Sequence, residues 1–208
     1  MRSNLLSRIR RRSQAYWNDM IILASGSPRR AELLRRLYKE FAIIVPHVSE
    51  LRYADDAALL VELNARIKAD AVSCDHFSDL VIGADTVIEH RGHILGKPSD
   101  LAEAASMLLD LSGSEHRVLS GVALIFKGIT LSWVEVTRVR FRELDKALIM
   151  NYLSLVPVLD KAGAYGIQDH GEMLVESISG DLDNVIGLPV ASLKRHIDEL
   201  ERSVARIQ

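Results

Sequence analysis

An apolar run from Met20 to Ser25 breaks at Ser25-Gly26-Ser27-Pro28 and passes directly into helical spacing. This join constrains the fold more than any other stretch. A buried strand must end in a tight small-residue turn and re-enter as a helix, which Ser27 is suited to cap and Pro28 to open. Leu33, Leu34, Leu37 and Phe41 then recur on one helical face. Downstream, Ala42–Pro46 reads as a strand. Asp55–Ser73 reads as a helix carrying Leu59, Leu60, Leu63, Ile67 and Val72.

Leu80–Ile82 begins a buried strand reaching Asp85. Thr86–Glu89 and His93–Leu95 read as a hairpin turning at Arg91-Gly92. Ser99 or Asp100 starts a helix that stops before Gly113. Arg117–Phe126 and Ile129–Phe141 form a long hairpin about Lys127-Gly128, with Val134, Val136 and Val139 facing one way until Phe141 shifts the register. A helix over Asp145–Leu155, a glycine-rich irregular stretch at Asp160–Gln168, a strand at Met173–Ile178 and a closing amphipathic helix at Pro189–Ile207 complete the chain. Helices and strands alternate without a regular βαβ rhythm, so the fold class is α/β with a mixed sheet.

Composition narrows the function. The 208 residues suffice for a core without disulfide or metal staples. The one cysteine, Cys74, excludes an internal disulfide framework and fits a reducing compartment. A net charge of −2 points to no nucleic-acid or membrane partner. No apolar run approaches the roughly 20 residues of a membrane span. Residues 1–19 hold Arg2, Arg8, Arg10, Arg11 and Arg12 without a following apolar stretch. They read as a loosely held basic extension, or as residues ahead of a natural start at Met20, rather than as a nucleic-acid arm or a secretory signal, and one domain follows over 20–208.

Four segments carry chemistry, each with an ordinary structural alternative. Ser25-Gly26-Ser27-Pro28-Arg29-Arg30 exposes helix-start N–H groups and two guanidiniums, either to an anion or to solvent. Asp85, at the end of an apolar strand, is placed to activate water or hold Mg²⁺, or to cap a turn. Lys97, pinned between Gly96 and Pro98, is a phosphate-neutralising cation or a surface turn lysine; no Walker A loop surrounds it. Asp160–Gln168 forms either a base-contacting loop ended by an amide or a tight loop around Tyr165. His90 and His93 read as solvated, and His116 as structural.

In this order, these segments resemble the Maf family of nucleotide pyrophosphatases from Ile21 to about Ile197. The matching motifs are Leu23-Ala24-Ser25-Gly26-Ser27-Pro28-Arg29-Arg30, Ile82-Gly83-Ala84-Asp85-Thr86, Leu95-Gly96-Lys97-Pro98, Leu111-Ser112-Gly113 with His116, Asp160–Gln168, and Asn184-Val185-Ile186-Gly187-Leu188-Pro189. The resemblance implies an elongated mixed central sheet flanked by helices, with two lobes around a cleft, like the inosine-triphosphate pyrophosphatases. It implies hydrolysis of a nucleoside triphosphate to monophosphate and pyrophosphate with a divalent cation, Mg²⁺ or Mn²⁺, in the cytoplasm, by a homodimer. Asp85 matches the family's proton acceptor. Ser25, Arg30, Lys68 and Lys97 match its phosphate-side residues, and Glu50 with Asp85 its metal ligands. Arg29, Thr86 and Gln168 resemble the subgroup acting on dTTP and UTP. Ser120 stands where Thr is usual. The alternative is a non-catalytic nucleotide-binding regulator of cell division and septum formation.

Overall fold

The computed structural model describes residues 20–206; the basic extension read at 1–19 lies outside them, as does Ile207. The first half forms β1 (Ile21–Ala24), α1 (Pro28–Arg35), β2 (Ala42–Ile43), α2 (Ala57–Ser73), β3 (Leu80–His90), β4 (His93–Leu95) and α3 (Leu101–Leu111). The second forms β5 (Glu115–Phe126), β6 (Ile129–Phe141), α4 (Lys146–Leu155), β7 (Val175–Ser179), α5 (Leu182–Ile186) and α6 (Val190–Ala205). The strands make one sheet in the order β2-β1-β3-β5-β6-β7, with β4 also beside β3. β1 runs parallel to β2 and β3, and the remaining pairs are antiparallel. This is the expected mixed α/β sheet flanked by helices.

Local signals act as their chemistry dictates. Ser27 caps α1 by accepting from the Arg30 amide, and Pro28 opens the helix. Asp56, Asp100 and Asp145 cap α2, α3 and α4 in the same way. Arg91-Gly92 and Lys127-Gly128 both have positive φ at each position, the geometry of a two-residue hairpin turn that follows the strand twist.

The sheet's packing departs from the expectation in four places. β2 stops at Ile43, because Pro46 has no N–H to donate and Val45 and Pro46 turn away to line a cleft. Helix α1 ends at Arg35, yet Leu37 and Phe41 still pack on its core. Val139 belongs with Thr137 and Phe141 on a buried face, whereas Val136 is exposed; the irregularity falls between Arg140 and Phe141. The inner face of α2 is Leu60, Val61, Asn64, Ala65, Lys68, Ala69 and Val72, with Leu59 turned outward. Small residues lead there because the helix lies almost on the strands.

On one face of the sheet the core has two centres. Ile82, Ala84, Val122 and Leu124 pack with α1 and α6, and Ile88, Val118, Val139 and Phe141 pack with α3 and α4. Between them β3 and β5 present polar side chains, Thr86 and Ser120, which are register partners. On the other face, Val81, Ala123 and Ile125 pack against Ala65, Ala69 and Val72 of α2. Successive residues alternate faces, so Asp85 points toward α2.

Candidate active site

β5 pairs with β3 along one edge from Val81 to Glu89. On the other edge β1 pairs only through Gly83, and β4 takes over at Ile88. The intervening residues, Ala84 to Val87, therefore have an edge with no strand beside it. A cleft of about 880 Å³ opens at that gap, in the size range of small-ligand sites. Ser25, Arg29, Arg30, Glu50, Lys68, Asp85, Thr86, Lys97 and Gln168 all line it. Residues far apart in the chain are thus gathered into one site.

Asp85 is buried at the floor. Lys68 Nζ donates to its Oδ1 at 2.7 Å and Asn64 Nδ2 to its Oδ2 at 3.2 Å. The same ammonium meets Glu50 Oε1 at 3.1 Å and the Ala84 carbonyl at 3.5 Å. Two carboxylates and a carbonyl offset the cost of burying this lysine. Asn64 and Lys68 stand four residues apart, so one face of α2 carries both to the carboxylate. Gly83 and Gly121 make room: a Cβ on either would lie 2.2 Å from a backbone carbonyl oxygen of α2.

Arg30 forms the opposite wall. It donates through Nε to the Gly187 carbonyl at 3.0 Å, to Ser25 Oγ at 3.2 Å and to Thr86 Oγ1 at 3.1 Å. Burial lowers its pKa, opposed by the attraction of Asp85 and Glu50. Three of the five guanidinium hydrogens are used, which leaves two for a ligand. The Thr86 hydroxyl also lies 2.8 Å from Ser120 Oγ. At the rim, Arg29 pairs with Asp160 at 3.5 Å, and Lys97 and Gln168 are exposed.

Three contributors carry little signal of a site role in the sequence. Asn64 is one polar residue among others on a helix. Ser120 stood out only as a departure from Thr. Lys161 is buried in the cleft wall, 3.0 Å from Asp160 and 3.5 Å from Asp169, and nothing in its motif marks it as such. The expectation of a solvated His90 is overturned. Its ring is buried, with Nδ1 3.0 Å from Asp110 and Nε2 3.0 Å from Ser114, because β3 extends unbroken under the end of α3.

His116 is structural, as read. Its Nε2 lies 2.8 Å from the Tyr165 hydroxyl, and its ring meets Phe141 and Tyr165 edge-on. Burial, aided by repulsion from His90, pushes its pKa down from 6.5 to about 3. The folded value lies below the unfolded one, so below pH 6.5 the unfolded chain binds a proton that the fold refuses. Stability is full above that pH and falls as pH drops toward 3, by about 2 kcal/mol from this group at pH 5. Denaturant unfolding at pH 7 and pH 5 checks this. His116→Gln should lose less stability between the two pH values than the parent, by about that amount, and an equal loss would contradict it.

Fold and site together define a mixed α/β protein with a cation-rich cleft let into the open edge of a sheet strand, over a buried carboxylate. The chain belongs to the Maf family, whose model, described as Maf-like protein, matches residues 20–200. It is 46% identical over 181 residues to a dTTP/UTP pyrophosphatase of Akkermansia muciniphila, covering 86% of this chain and 96% of the relative. Proteins of the same name from Symbiobacterium thermophilum and Bacillus cytotoxicus are 49% identical over 173 residues and 44% identical over 182. These matches cover 83% and 86% of this chain, and 89% and 95% of the relatives. Among solved structures, that of the Staphylococcus aureus Ham1 protein matches 74% of this chain and 90% of its own, with TM-score 0.44 and 15% identity.

Proposed function

We propose that this protein hydrolyses nucleoside triphosphates, dTTP and UTP foremost, to the monophosphate and pyrophosphate. The carrying observation is the carboxylate of Asp85 on the floor of the sheet gap, held from two sides and sharing its cleft with Arg29, Arg30, Lys68 and Lys97. A triphosphate brings about four negative charges, and the cations gathered in the cleft stabilise the charge that builds on a leaving pyrophosphate. Ser25, Arg30 and Lys97 take the phosphate oxygens, and Lys68, whose hydrogens go to Asp85, Glu50 and the Ala84 carbonyl, adds its charge beside them. A water oxygen bonds to the α-phosphorus as the bond from that phosphorus to the bridging oxygen breaks. Asp85 receives the water proton, and pyrophosphate leaves. At the rim, the Gln168 amide offers a donor and an acceptor to a pyrimidine carbonyl and imide N–H, with Arg29 and Thr86 shaping the same end.

Glu50 and Asp85 face the same part of the cleft, both bonded to the Lys68 ammonium, and each carboxylate keeps lone pairs that this ammonium does not take. Mg²⁺ takes one or two carboxylates from a protein and completes its shell with phosphate oxygens and water. The donors therefore fit a divalent cation, and Glu50 and Asp85 would hold it. When bound, Mg²⁺ or Mn²⁺ supplies further neutralisation of the phosphates. Among the described residues no helix is long and apolar enough to cross a membrane. Action in the cytoplasm and a homodimeric state belong to the same proposal.

Pyrophosphate release across the common and modified triphosphates, with Mg²⁺ or Mn²⁺, tests the reading. Release from dTTP and UTP at kcat/KM about tenfold or more above the purine triphosphates is expected. Nucleotide binding without release would point instead to the regulator of cell division. Release of orthophosphate would move the cleaved bond.

A further inference from the structure

The stretch 44–56 between β2 and α2 has no helix or strand, yet it must place Glu50 opposite Asp85. Side chains rather than a backbone ladder do this. Asn64 is 2% exposed. Its Oδ1 accepts from the Leu51 amide at 2.7 Å, and its Nδ2 donates to the Leu51 carbonyl at 3.0 Å and to Asp85 Oδ2 at 3.2 Å. Both amide hydrogens are therefore committed and the carbonyl holds the Leu51 amide, so the side chain has no donor left for a substrate.

We propose that Asn64 is a positioning residue that locks the loop bearing Glu50 and the carboxylate of Asp85 into one unit. This rests on the hydrolase reading only for its kinetic consequence. Lys68 holds Asp85 by Oδ1 and Asn64 holds it by Oδ2, so together the two fix the plane of the carboxylate. A base must sit within hydrogen-bond reach of the proton it takes, and a side chain free to rotate spends part of its time out of reach. The same amide ties the neighbour of Glu50 to α2. A residue that merely satisfied the Leu51 backbone would have no need to face Asp85.

Two variants separate these roles. Asn64→Leu keeps similar bulk and removes every polar contact. Its kcat on dTTP should fall about thirtyfold with KM within about threefold, and Leu51 amide exchange, followed by NMR, should accelerate at least about tenfold. Asn64→Asp keeps the acceptor for the Leu51 amide but turns a carboxylate toward Asp85. It should hold Leu51 exchange within about threefold of the parent while kcat falls at least as far as in the leucine variant. If Asn64→Asp retains kcat within about twofold of the parent, the proposal is overturned. The same holds if Asn64→Leu lowers only the melting temperature. Should the leucine variant not fold, the aspartate variant decides alone. A parent that releases no pyrophosphate removes the hydrolase reading, and Leu51 exchange still decides the coupling: acceleration in Asn64→Leu upholds it, and unchanged exchange overturns it.

Discussion

Asp85→Asn should lower kcat on dTTP by roughly a thousandfold, about 4 kcal/mol of transition-state stabilisation, with KM within about threefold. The amide matches the carboxylate in size, and its oxygen can still accept from Lys68. Glu50 remains 3.1 Å from that ammonium, so the buried cation is not abandoned. The fold and the phosphate-side groups are therefore retained, and what disappears is a group able to take a proton. Steady-state kinetics on a variant with the parent's melting profile checks this. Turnover at the parent rate would remove Asp85 as the base. A large rise in KM with kcat preserved would make it a binding group.

The reach of the sequence in this site divides by distance along the chain. The strand, turn and helix start at Met20–Arg30 were legible because capping and proline chemistry act within a few residues. So were the hairpin turns at Arg91-Gly92 and Lys127-Gly128. Asp85 and Lys97 stand out from their own segments and Lys68 only through the resemblance, and the fold brings the three into one cleft. The reason a cleft exists there was not legible. It depends on β1 ending opposite Gly83 and β4 lying opposite Ile88 along the same edge of β3, which is a fact of register between distant segments. Asn64 carries little signal for a related reason, since a polar residue on a helix is solvated in most contexts and its two partners, Leu51 and Asp85, lie 13 and 21 residues away. The short helix Leu182–Ile186 had readable ends, Asp181 as cap and Gly187 at positive φ as stop, but too few residues between them to show a period. The hairpin alone leaves His90 open to solvent; it is α3, through Asp110, that covers it, a contact between segments 20 residues apart.

Gly83→Ala should be, with Gly121→Ala, among the most damaging single methyl groups added to this protein. A Cβ there lies 2.2 Å from the Ala65 carbonyl oxygen and 2.9 Å from the Ala69 amide nitrogen. Both are backbone atoms of α2, so no rotamer change relieves the overlap and the helix as a whole must lift. Overpacking of this kind costs up to about 3 kcal/mol, and more where backbone must move, a fall in Tm of roughly 6–12 °C for a chain of this size. The consequence reaches the chemistry, because α2 carries Asn64 and Lys68, both bonded to Asp85. A lifted helix lengthens both bonds, so kcat measured well below the melting point should also drop, by about tenfold or more. Gly96→Ala is the control for stability, since a Cβ there meets nothing within 4 Å, and its Tm should stay within about 2 °C of the parent. If Gly83→Ala melts like the parent, α2 is not seated on the sheet as described, and the placement of Lys68 against Asp85 fails with it.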